Sequence, residues 1–127
     1  MHSNPCSETA MAALLACAPY YFHQDRLEMG KAMLKNMKFN YHAVSWWAAK
    51  VAELNFTAQW IPLEVKTLII GGTDDSMMPF SVFENDVRFK RENIHLHLIK
   101  EAGHFPWIEK FEEVKGQFDR FLAELQA

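Results

Sequence analysis

Three acid–base side chains stand out by type and place. Asp74 and Asp75 lie in "GGTDDSMMP" (71–79), and His104 lies in "EAGHFPWIE" (101–109). An aspartate that accepts a hydrogen bond from an imidazole fixes the ring's tautomer and stabilises its protonated form. The ring can then take a proton from a hydroxyl, which is the chemistry of activating a nucleophile. Each residue alone also has a plainer role. An aspartate after a strand is often a turn former or helix cap, and a lone loop histidine is more often structural than catalytic.

The two loops can cooperate only if the elements before them lie side by side. "VKTLIIGG" (65–72) is a short apolar run stopped by glycines, which suits a strand buried on both faces of a parallel sheet. "NIHLHLIK" (93–100) reads as the next strand. Between them, residues 80–92 suit a helix that leans Phe80, Phe83, Val87 and Phe89 or Lys90 to one side. After the histidine loop, Phe111, Val114, Phe118, Phe121, Leu122 and Leu125 recur at helical spacing, with Glu112 and Glu113 in the first turn where they suit the dipole. Strand, helix, strand, helix implies an α/β fold with parallel strands and a right-handed crossover. Function in such sheets gathers at the carboxyl ends of strands, where both loops lie.

The first half has a different texture. Residues 7–18 form a predicted helix with Ser7 as cap and Pro19 as stop. "PYYF" (19–22) reads as an aromatic turn. A second helix is expected over 24–37, with Leu27, Ala32, Met33, Leu34 and Met37 as its stripe, and a third over 41–54, with Val44, Trp47, Ala48 and Val51 on one face. Pro62 biases Ile61 away from helix. The chain therefore divides into a helical segment, 1–60, and an α/β segment, 61–127.

The second segment resembles the C-terminal part of the α/β-hydrolase superfamily. The superfamily's acid follows a strand as an apolar run, Gly, two residues, Asp, and a proline four further on; "LIIGGTDDSMMP" has Gly72, Asp75 and Pro79 in those places. Its histidine stands in a Gly-His motif followed by a Glu and a helix; "AGHFPWIEKFEEV" supplies Gly103, His104 and Glu109. The resemblance implies that Asp75, rather than Asp74, is the triad acid, and the order of Asp before His agrees. It covers about residues 61–127. The first half looks like part of the helical cap of such hydrolases, and "APYYF" with "YHAVSWW" is loosely similar to caps of the proline iminopeptidase branch. A generic helical lid with a packed aromatic core is the plainer reading of the same residues.

The superfamily's nucleophile sits in a G-x-S-x-G elbow upstream of the acid. Ser3, Ser7, Ser45, Ser76 and Ser81 lack the flanking glycines, as do Cys6 and Cys17. The expectation is thus the C-terminal part of a serine hydrolase, beginning inside the cap, that supplies Asp75 and His104 and is inactive alone. Its substrates would be small esters, amides or peptides, prolyl peptides in the aminopeptidase-like version. The alternative is a non-catalytic, truncated, hydrolase-derived interaction module.

Other features bound the reading. The 127 residues suit one domain or part of one, and the net charge of −3 offers no basic surface for nucleic acid. No apolar run approaches the roughly 20 residues of a membrane span. "MAALLACA" (11–18) lacks a basic region before it, so it reads as a helix in a cytoplasmic protein. Cys6 and Cys17 are too far apart along a helix to bond, which suggests free buried thiols. His95 and His97 share a strand face and are a candidate metal pair, but no third ligand is near. Trp46, Trp47, Trp60 and Trp107 suit core or cap packing, with Trp107, three residues after His104, also a candidate substrate contact. "GGTDD" lacks the phosphate-loop pattern, and no cofactor is expected. Two parallel strands are a thin sheet with open edges. A homo-oligomer, or association with a missing N-terminal half, is therefore expected.

Overall fold

A computed structural model describes residues 7–38, 40–51, 53 and 60–126. Strands β1 (Thr67–Gly72) and β2 (Ile94–Ile99) pair in parallel, with Thr67 opposite Ile94 and Gly72 opposite Ile99. Parallel neighbours need a crossover rather than a hairpin. Here residues 73–93 supply it, through helix α4 (Ser81–Glu84) and a 3-10 turn, Val87–Phe89.

The single helix expected over 80–92 is therefore broken. Asp86 takes an extended backbone and its Oδ1 accepts the Arg88 amide at 2.9 Å, while Oδ2 holds the Arg88 guanidinium at 2.6 Å. An aspartate that captures a nearby amide offers the backbone an alternative to helix. The aromatic side survives the break: Phe80 packs on Phe83, and Phe83 on Phe89, with Phe80 and Phe89 buried. Val87 is turned out to solvent.

After β2 come α5 (Pro106–Glu109) and α6 (Phe111–Gln126), both of which contact β1. Lys66 Nζ donates to the Glu124 carbonyl at 3.1 Å, and the His95 ring meets Phe121 edge-on. The expected stripe on α6 is only partly covered. Val114 and Phe121 are half-buried, but Phe111, Phe118, Leu122 and Leu125 are exposed. Neighbouring strands lie about 5 Å apart, so two of them offer a face narrower than the stripe laid over it.

In the first half, α1 (Ser7–Ala16) gives way to a 3-10 turn, Ala18–Tyr20, where Pro19 cannot continue the helix. A second 3-10 turn, Gln24–Arg26, leads into α2 (Leu27–Lys35). Helix α3 (Tyr41–Lys50) is capped by Asn40, whose Oδ1 accepts the Ala43 amide at 3.1 Å. The core cluster is Ala18, Phe22 and Leu34, with Leu14, Leu15, Leu27 and Met33 around it. Phe105, from the histidine loop, packs against the same cluster and stacks on Phe22 at 5.2 Å. The helical half and the α/β half thus share buried surface at that loop.

Helix α3 departs from expectation. Val44, Trp47, Ala48 and Val51 were expected to form a buried face, yet all four are exposed. Trp46, Trp60 and Trp107 are exposed too, so none of the four tryptophans is in the core. The stripe exists, but α3 makes only sparse contact with other elements. Cys17 is a free thiol and is exposed rather than buried. Cys6, the side chain of Ser7 and residues 52 and 54–59, including the end of the expected third helix, lie outside the described residues. Among the described residues no helix is long and apolar enough to cross a membrane.

Phe22 is 2% exposed at the junction of the two halves. Phe22→Ala is expected to cost about 3–5 kcal/mol, the usual range for emptying a buried aromatic site. Urea unfolding followed by circular dichroism measures it, and a loss under about 1 kcal/mol would place Phe22 outside the stabilising core.

Candidate active site

The strand ends bring the two loops together. Thr73 donates its amide to the Ile99 carbonyl and Asp74 donates to that of Ala102, each at 2.9 Å, so the chain beyond β1 stays bound to the chain beyond β2. A Cβ on Gly72 would overlap the carbonyl oxygens of Ala102 and Gly103; only a glycine admits backbone this close. At the end of β2 the chain turns at Glu101, which takes a left-handed φ of 52°. Few residues with a side chain adopt that region. Its amide donates to Thr73 Oγ1 at 2.9 Å, and Lys110 pairs with its carboxylate at 3.1 Å.

Asp75 and His104 meet above these ends. His104 Nδ1 lies 2.8 Å from Asp75 Oδ2. The other carboxylate oxygen, Oδ1, accepts the amides of Met77 at 2.9 Å and Met78 at 2.8 Å. Both oxygens are therefore held, and the carboxylate cannot rotate away from the ring without breaking two backbone bonds. The Asp75 side chain is 9% exposed and that of His104 32%. With Nδ1 engaged by the acid, Nε2 is the nitrogen left for a substrate or a nucleophile. No serine or cysteine side chain bonds to it among the described residues. A cleft of about 230 Å³ opens beside Asp75, lined by Gly72, Pro79, Phe80 and Leu98.

The ring of His104 is braced by aromatics. Tyr21 and Phe105 each meet it edge-on, at 5.7 and 5.1 Å. Burial, then the charges of Cys17 and Asp75, hold the Tyr21 hydroxyl above the usual phenol pKa. Trp107, on α5, is exposed and touches Phe105 edge-on at 5.7 Å, so one ring separates it from His104.

A second layer was not anticipated from the sequence. The turn at Tyr20–His23 docks against both loops. Tyr20 O accepts the Ser76 amide at 3.3 Å and Tyr21 O accepts the His104 amide at 2.6 Å. His23 Nδ1 lies 2.7 Å from Asp74 Oδ2. A Cβ on Gly103 would strike Tyr21 O, so the glycine before the histidine is also required by this docking. Glu109 is buried; its Oε1 accepts the Gly103 amide at 2.9 Å and its Oε2 the His23 amide at 2.8 Å. The signals were faint: Asp74 is an acid without a role beside Asp75, and Glu109 stood out only as the Glu that follows the Gly-His motif, with no partner indicated. Nothing local links either one to a turn near residue 22.

His95 and His97 lie on β2 opposite Leu68 and Ile70. Among the described residues no group of three or more His, Cys, Asp or Glu side chains is placed to hold a metal ion.

The chain is thus a mixed α/β protein: a two-stranded parallel sheet, helices around it, and an aspartate–histidine pair at the strand ends. No family model, curated protein or solved structure matches it significantly.

The hydrogen bond that the His23 ring donates to Asp74 raises the His23 pKa above its usual 6.5 against the opposing effect of burial, and the charges of Asp74, Asp25 and Glu101 add to the rise. Folded protein then binds this proton more tightly than unfolded protein. The stabilisation is complete below pH 6.5 and fades as pH rises through the folded value. Asp74→Asn is expected to remove that part of the stability profile and to lower the His23 pKa read by NMR titration. An unchanged His23 titration in the variant would refute the pairing.

Proposed function

We propose that Asp75 and His104 are the acid and general base of an α/β-type serine hydrolase. The supporting observation is the 2.8 Å contact between His104 Nδ1 and a carboxylate whose other oxygen is held by two backbone amides. In this reading Asp75 orients the imidazole and stabilises its cation, and Nε2 takes the proton of a serine hydroxyl and returns it to the leaving group. The bonds cleaved are small ester, amide or peptide bonds. An N-terminal prolyl peptide is the aminopeptidase-like substrate, with Trp107 at its edge. The helical first half serves as a lid, and the serine comes from residues outside these 127. Without that serine no acyl-enzyme forms, so the chain alone gives no stoichiometric burst with an activated ester.

A fluorophosphonate probe tests this on the protein as it occurs in its cells. The endogenous species is recovered with an antibody against this chain, and its intact mass is read. A labelled species heavier than 14.8 kDa is expected, with labelling lost in the Asp75→Asn and His104→Ala forms. A labelled 14.8 kDa chain, or no labelling at all, would overturn the reading.

A second reading, a hydrolase-derived interaction module, is favoured by one observation: the exposed apolar faces of α3 and α6. Both readings call for a companion, either a second copy pairing at an open strand edge or a polypeptide that completes the sheet. Sedimentation of the isolated chain is expected to show self-association at micromolar concentration. A monomer with a cooperative melt would count against both forms of companion.

A further inference from the structure

Glu109 is the one charged side chain that is buried among the described residues, at 4% exposure. A buried carboxylate is costly unless its oxygens are satisfied. Here each oxygen takes one backbone amide, and the two amides come from segments far apart in the chain: Gly103 and His23. Those same segments are joined again next door, where Tyr21 O accepts the His104 amide. The result is a closed circuit. It runs from Glu109 to His23, back along the turn to Tyr21, across to His104, and through Gly103 to Glu109 again. The backbone of His104 is thus anchored by the very turn that Glu109 holds.

We infer that Glu109 is a positioning residue that makes docking of the turn at Tyr20–His23 and alignment of the His104 ring a single event. The inference rests on reading His104 as the general base. When the turn leaves, Tyr21 O no longer holds the His104 amide and Glu109 loses one of its two donors. Gly103 stays on Glu109, but His104 has lost its backbone anchor and can shift relative to Asp75, which stays fixed by Met77 and Met78. Cap position would in this way switch the base between an aligned and a misaligned state, with no contact between Glu109 and the ring. A purely structural carboxylate would lend stability without coupling the two segments.

The test uses the full chain and NMR. In the wild type, the amides of His23, Gly103 and His104 should exchange with solvent through one shared opening, with the same dependence on added urea. The His104 Nδ1 proton should appear as a downfield resonance that Asp75→Asn removes. Glu109→Gln keeps the shape of the side chain but turns one acceptor into a donor. Protection of the three amides should then fall together, on the order of tenfold or more as befits loss of a bond to a charged acceptor. The downfield proton should broaden although Asp75 is intact.

If protection falls at only one amide, or the downfield proton in the Gln variant is unmoved, the positioning role is overturned while the acid–base pair stands. If the wild type has no downfield proton sensitive to Asp75→Asn, the pair itself fails, and this inference with it. Should Glu109→Gln not fold, the wild-type exchange decides: three different urea dependences would overturn the shared opening, and one common dependence supports it.

Discussion

Everything at the candidate site depends on two parallel strands ending at the same level. The register sets Gly72 opposite Ile99, so the chain leaves both strands along one edge of the sheet. From there the two loops stay bonded to each other through Thr73, Asp74, Glu101 and Ala102. The missing side chain of Gly72 lets them approach to backbone contact. A slip of one residue would reverse the facing of every side chain on a strand, and it would carry Asp75 away from His104. The acid–base geometry is a property of strand pairing first and of the two side chains second.

On this frame the helical half and the sheet half are knitted by polar and aromatic contacts of different kinds. Phe105 packs against the core of Ala18, Phe22 and Leu34, so the residue after the histidine is half-buried against side chains from the other half. The turn at Tyr20–His23 adds backbone bonds to both loops and one ion pair, between His23 and Asp74. Apolar burial supplies adhesion there, and directional hydrogen bonds supply the alignment that adhesion alone lacks. The sheet meanwhile leaves much of the α6 stripe uncovered.

The sequence was legible where one element decides its own form. The strands around residues 67–72 and 94–99, the long final helix and the pairing of Asp75 with His104 all follow from local pattern or from the motif resemblance. The helix expected over 80–92 failed because Asp86 found a closer partner in Arg88, a competition that periodicity does not register. Trp47 and its neighbours on α3 failed differently. The apolar stripe is present, but a stripe says only that a surface wants cover, not that the cover is in the same chain. The roles of His23 and Glu109 were hidden because the two bond to each other across 86 residues of sequence.

The adjacent acids have a consequence of their own. Asp74 and Asp75 are consecutive, yet they serve different histidines, His23 and His104. Asp74 lies in the turn that follows β1 and Asp75 just beyond it, so the pair works like a fork whose two tines are set by the turn. Loop length between Gly72 and this fork is therefore a coded quantity. Adding or deleting one residue would leave both carboxylates present and charged, but each would face the other's histidine or none. Substitutions here alter strength, whereas insertions alter addressing. The two histidines differ in this respect: His23 has Asp25 near its other ring nitrogen at 3.6 Å, whereas His104 relies on Asp75.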